Sequence, residues 1–152
     1  LLGFLAVSAA NLSTNLLFYM PYKEKGNWQY GFREIMKVVT PIQDNYSQII
    51  FETGQAQPHI FTLFYSRYDP AKYHQDIGSP EGIEKPRKNF DFGKYHFRKI
   101  YWPEDKALKN TLFIGSEMNL PNYEIKAKEN ARILSDVQDE HGDFFARIVE
   151  LK

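Results

Sequence analysis

Gln48-Ile49-Ile50-Phe51-Glu52-Thr53, closed by Gly54, is a short run rich in β-branched and aromatic residues. Such a run, bounded by a breaker, reads as a buried strand. Working outward, Pro58 opens a helix in which Ile60, Leu63, Phe64 and Arg67 recur at helical spacing. Asp69-Pro70 restarts a second, short helix, with an N-cap followed by proline at the first helical position. In the other direction, Asn27 is the expected N-cap of a helix from about Trp28. There Phe32, Ile35, Met36 and Val39 fall at i, i+3, i+4 and i+7, and Pro41 stops the run. Gly78 to Phe92, with two prolines and two glycines, is the clearest long loop.

The second half is more strand-like. Lys94 to Tyr101 alternates, with Tyr95, Phe97 and Lys99 on one side and His96, Arg98 and Ile100 on the other. Thr111-Leu112-Phe113-Ile114, stopped by Gly115-Ser116, is expected to be a central strand. Asn130 to Val137 and Asp143 to Leu151 flank Asp139-Glu140-His141-Gly142, a four- or five-residue hairpin loop. The expected architecture is α/β, a mixed twisted sheet ending in a β-hairpin with helices packed on it.

At 152 residues the chain has the length of one domain. Lys and Arg total 19 against 19 for Asp and Glu, so no net field draws nucleic acid as a partner. The absence of cysteine excludes disulfide scaffolds, thiolate zinc sites and cysteine nucleophiles. His59, His74, His96 and His141 share no helical metal-site spacing, so no metal and no cofactor is expected. Gly54 and Gly115 build no phosphate-binding fingerprint, and Ser116 lacks the flanks of a nucleophile elbow.

From Leu1 to Tyr22 there is no charged residue, and Lys23 is the first. The stretch is long enough to cover a bilayer core of about 30 Å, although Ser8, Asn11, Ser13, Thr14 and Asn15 interrupt it. Phe18, Tyr19, Tyr22 and Trp28, with Lys23 and Lys25 between them, have the composition of a membrane interface. The chain opens on Leu1 rather than Met, and the reading taken is the end of a last transmembrane helix over residues 1–22, with a domain over 23–152. A truncated signal peptide and a soluble helix packed on the domain are the alternatives.

Tyr19-Met20-Pro21-Tyr22, Trp28-Gln29-Tyr30-Gly31-Phe32-Arg33-Glu34 and Gln57-Pro58-His59-Ile60-Phe61, running into Phe64-Tyr65 and Tyr68-Asp69-Pro70, carry a family likeness. The chain resembles the carboxy-terminal extracytoplasmic domain of polytopic prokaryotic glycosyltransferases similar to protein O-mannosyltransferases and aminoarabinose transferases. The resemblance extends to Phe97-Arg98-Lys99-Ile100, Leu112-Phe113-Ile114-Gly115 and the final hairpin. It departs at His59, where the resembled pattern has tyrosine after Gln-Pro. It implies a polyprenyl-phosphate sugar donor, a bilayer and the rest of a membrane domain as partners, and a location outside the cytoplasm. It also implies that the catalytic carboxylate lies on an early loop absent from this chain, leaving a non-catalytic part that positions an acceptor or covers the active site. The other class of function is a secreted or anchored binding module without activity.

No pair of carboxylates among Glu52, Asp69, Asp76 and Glu117 has the spacing of a general acid and base, so no catalytic residue is assigned. One site hypothesis comes from topology, because ligands of open α/β sheets sit beyond the carboxyl ends of the strands. If the two apolar strands are parallel neighbours, Glu52, Gln55, Gln57, Ser116 and Glu117 converge near the start of the Pro58 helix, beside His59. The competing reading has Gln57 and Glu117 merely capping helices. Phe61, Phe64, Tyr65 and Tyr68 read either as core or as an aromatic platform for sugar or lipid.

Overall fold

A computed structural model of the chain describes residues 1–20, 31–54, 57–77, 90–138 and 142–152. The expected cap Asn27, the interface residues Tyr22 and Trp28, the candidate Gln55, most of the 78–92 loop and the turn residues Asp139, Glu140 and His141 lie outside these. The chain divides into two compact units, Leu1–Tyr30 and Gly31–Lys152.

In the first unit, α1 runs over Leu2–Thr14 and continues as a π-helical turn over Asn15–Tyr19. Leu2–Tyr19 is long and apolar enough to cross a membrane, a test that signal sequences also pass. Its apolar side chains are spread round the helix rather than gathered in a stripe, and none is buried. The polar interruptions bond partly within the helix: Thr14 Oγ1 donates to the Ala10 carbonyl and Asn15 Nδ2 to that of Asn11, both at 2.9 Å. Such back-bonding lowers the cost of placing a hydroxyl or amide in hydrocarbon.

The second unit is an open, mixed five-stranded sheet covered on both faces. In chain order its elements are α2 (Gly31–Val39), β1 (Gln48–Glu52), α3 (Pro58–Ser66), α4 (Pro70–Ile77), β2 (Tyr95–Arg98), α5 (Trp102–Asp105), β3 (Thr111–Gly115), α6 (Asn122–Lys126), β4 (Ala131–Gln138) and β5 (Phe144–Leu151). The strand order is β2-β1-β3-β5-β4. β1 lies parallel to both β2 and β3, with Ile49 opposite Tyr95 and Leu112, while β5 is antiparallel to β3 and to β4. The expected terminal hairpin is therefore present.

Successive residues of a strand point to opposite faces, so a run that is apolar throughout needs cover on both sides. Ile49, Phe51, Leu112, Ile114, Ile148, Tyr95 and Phe97 face one layer, where they meet Phe32, Ile35, Met36 and Val39 of α2 and half-buried Phe61, Leu63, Tyr65 and Tyr73 of α3 and α4. Ile50, Phe113, Val149 and Leu151 face the other, packing with Ile100, Trp102, Leu120 and Ile125. Each fully buried side chain of this size contributes about 1.5–3 kcal/mol. Rings fill much of the first layer: Phe32 stacks on Phe61 at 4.7 Å and meets Phe145 edge-on at 5.4 Å. β4, at one edge, carries two irregularities, between Ile133 and Ser135 and between Val137 and Gln138.

Three expectations need correction. On α3 the stripe through Ile60 and Phe64 faces outward, Phe64 being 74% exposed, while His59 and Thr62 are buried. β2 ends at Arg98, so the alternation does not run on to Lys99 and Ile100; Ile100 instead drops into the second layer. The helices α5 and α6 were given no place in the expected order, although one reading had Glu117 capping a helix. With four and five residues they are too short to show a period.

Candidate functional site

The helix that follows β1, α3, packs on one face, whereas α5 and α6, which follow β2 and β3, pack on the other. The connections part at the carboxyl ends of the parallel strands, where α/β sheets form a crevice. Glu52, the last residue of β1, occupies this position. One of its carboxylate oxygens accepts the Ser116 amide at 2.5 Å, and the other accepts the Asn119 side-chain amide. Ser116 Oγ accepts the Asn119 backbone N–H at 3.4 Å, and the Leu120 N–H reaches the Ser116 carbonyl at 2.9 Å. The carboxylate thus ties the chain leaving β3 to the end of β1.

Glycine at 115 leaves room for this tie. A Cβ built there would lie 2.8 Å from Glu52 Oε2 and 2.8 Å from Ile100 Cδ1. The sequence marks Gly115 as a strand stop, and in the fold its bare Cα also gives space to the Glu52 carboxylate.

The other expected participants go elsewhere. Glu117 turns toward Arg147, whose Nη2 lies 3.5 Å from its Oε1. Gln57 takes the N-cap position of α3 without a side-chain cap bond, its carbonyl accepting the Ile60 N–H at 3.1 Å. His59 is buried beneath Phe90, ring on ring at 4.0 Å, with Phe97 edge-on at 6.0 Å. Burial lowers its pKa from 6.5. Of the interface group, Phe18 and Tyr19 lie at the exposed end of the apolar helix. The aromatic group of α3 divides: Phe61 and Tyr65, with Tyr68 just beyond the helix, pack on the core, while Phe64 is exposed.

Two ion pairs that the sequence does not reveal brace the same end of the sheet. Arg98 donates to both oxygens of Asp105, at 2.6 and 3.0 Å, and Asp105 also accepts the Tyr101 amide at 2.7 Å. Burial pushes the Asp105 carboxyl up, but the Arg98 and Tyr101 bonds outweigh it and leave the pKa lowered. Arg147 is 2% exposed and bonds Asp136 through both Nε and Nη2, at 2.7 and 2.9 Å. Its Nη1 donates to the Leu120 carbonyl at 2.9 Å, so one guanidinium joins β5, β4 and the chain after β3. The partners are 7 and 11 residues apart, at no motif spacing, and their only sequence signal is an arginine within an apolar strand.

Beside these braces a groove of about 790 Å³ runs between the start of α5 and the stretch from Glu117 through α6. Tyr101, Met118 and Tyr123 border it, all exposed. Among the described residues no three His, Asp or Glu side chains stand close enough to hold a metal. No protein-family model, curated protein or solved structure matches the chain.

Proposed function

We propose that this chain is the accessory extracytoplasmic part of a membrane glycosyltransferase that takes its sugar from a polyprenyl-phosphate donor. The domain over 31–152 positions an acceptor or covers a membrane-embedded active site and transfers no sugar itself. The observation that carries this reading is the amino-terminal helix: Leu2–Tyr19 is uncharged and long and apolar enough to span a bilayer, with Thr14 and Asn15 bonded to their own helix. A helix of that kind meets the length and backbone requirements of a membrane span. Two further points support the reading. The motifs from Tyr19 to Pro70 resemble that enzyme class, and the strand-end carboxylate Glu52 is engaged by Ser116 and Asn119 rather than presented to a substrate.

The test begins with the chain produced in a bacterial host and extracted at alkaline pH. Retention in the membrane with an uncleaved amino terminus is expected, and release of a shortened chain would turn the reading to a secreted module. Because the chain has no cysteine, a single cysteine placed at exposed Glu104 reports sidedness with an impermeant maleimide. Labelling of intact cells is expected. The coding sequence upstream of Leu1 should continue into further hydrophobic spans. A start codon with a short basic segment directly before Leu1 would overturn the transferase assignment.

A further inference from the structure

Polar residues of the amino-terminal helix fall in a line, although its apolar ones do not. Phe4, Ser8, Asn11 and Asn15 are spaced four, three and four apart, the repeat with which one helix seats against another. Asn11 stands at the middle of the Leu2–Tyr19 span, with about 12 Å of helix on either side. Thr14 and Asn15 turn a bond back onto the helix, but among the described residues nothing bonds the Asn11 side chain or the Ser8 hydroxyl. Hydrocarbon offers neither donor nor acceptor, so an amide at that depth is completed by another protein group.

The chemistry of the amide points to which group. It carries donor and acceptor together, so two amides facing each other bond reciprocally. Copies of one chain enter a membrane in the same orientation, which sets Asn11 of one opposite Asn11 of the next at equal depth. A span of different sequence would need an amide at that level, whereas a second copy carries one by construction. An asparagine in such a seam also favours a parallel pair in a single register.

We propose that Phe4, Ser8, Asn11 and Asn15 form the seam of a parallel pair between the amino-terminal helices of two copies of this chain, joined by reciprocal hydrogen bonds of the Asn11 amides. The helices cross at the shallow angle of left-handed membrane pairs. The inference rests on the membrane span in the proposed function and not on the transferase assignment.

The test uses the full chain made by cell-free synthesis into micelles of a non-ionic detergent, which keeps the amino terminus intact. Sedimentation equilibrium is expected to show a dimer. Asn11→Leu, which removes the amide but keeps a good helix former, is expected to weaken association about tenfold. Ser13→Leu, about 200° round the helix from Asn11, makes a similar polar-to-apolar change off the seam and is expected to leave association unchanged. Because the chain has no cysteine, oxidation of single-cysteine variants reports the contact face: a linked dimer is expected from Ser8→Cys and none from Ser13→Cys. A monomer at every concentration would overturn the pairing and give the seam to a different span. A dimer that Asn11→Leu leaves as tight would overturn it too, placing the contact outside the seam. Membrane retention is read separately by alkaline extraction, so a chain that is retained but monomeric fails here and not in the proposed function.

Discussion

Glu52 and Ser116, 64 residues apart, meet at 2.5 Å where the carboxylate of one strand end accepts the amide beyond its parallel neighbour. This bond occupies the position where a ligand is expected from the topology, and its removal should be felt in stability. Glu52→Ala leaves the Ser116 amide and the Asn119 side chain without their acceptor. A loss of about 1–3 kcal/mol is expected in urea unfolding, with Glu52→Gln intermediate. Gly115→Ala should act alike, since its methyl displaces the same carboxylate.

Arg147→Met should cost more. The guanidinium is buried and serves Asp136 and the Leu120 carbonyl together, so its loss strands both partners. About 2–4 kcal/mol is expected, reduced from the fully buried case because Asp136 is partly solvated. A double-mutant cycle with Asp136→Ala should show clear non-additivity, and independent effects would refute the shared brace.

Two groups give the domain a two-step response to acid. The folded pKa of His59 lies below 6.5, so the folded state resists the proton that the unfolded chain accepts. Stability should therefore be full above about pH 6.5 and fall as pH drops from there toward the folded value. Asp105, whose pKa is lowered from 3.8, contributes stability that is present above that value and lost as pH falls through the folded pKa. His59→Phe should flatten the upper limb and Asp105→Asn the lower one, read as thermal midpoints across pH 3 to 8. An upper limb unchanged in His59→Phe would assign it elsewhere.

Gly31→Ala should destabilise by about 1–3 kcal/mol, because the new methyl would lie 2.1 Å from Phe145 Cδ1 and the ring must leave its edge-on contact with Phe32. Relief by Phe145→Leu in the same background would locate the strain.

The apolar strands were readable because their composition is independent of partners: Ile49-Ile50-Phe51 and Leu112-Phe113-Ile114 are covered on both faces wherever they sit. The face of α2 was readable as a periodic signal of two turns, and the hairpin from the turn-forming residues between its two strands. On α3 periodicity misled, because Ile60 and Phe64 obey helical spacing as well as the buried His59 and Thr62 do, and only the neighbouring α2 decides which side is covered. The site divides likewise. Parallel pairing brought Glu52 and Ser116 together as topology foretold, but Glu117 found Arg147, a residue 30 positions further along the chain. Asn119, Arg98 and Asp105 carry no local motif. Pairings between distant polar side chains have no period and no spacing, so no pattern announces them.

The two margins of the sheet have a consequence for how copies of the chain tolerate one another. One margin is β2, only four residues long; the other is β4, twice interrupted in register and carrying Arg132 and Asp136. Neither offers the long, flat row of backbone donors and acceptors along which a second sheet could add. Joining of two copies edge to edge through their sheets is therefore disfavoured at both margins.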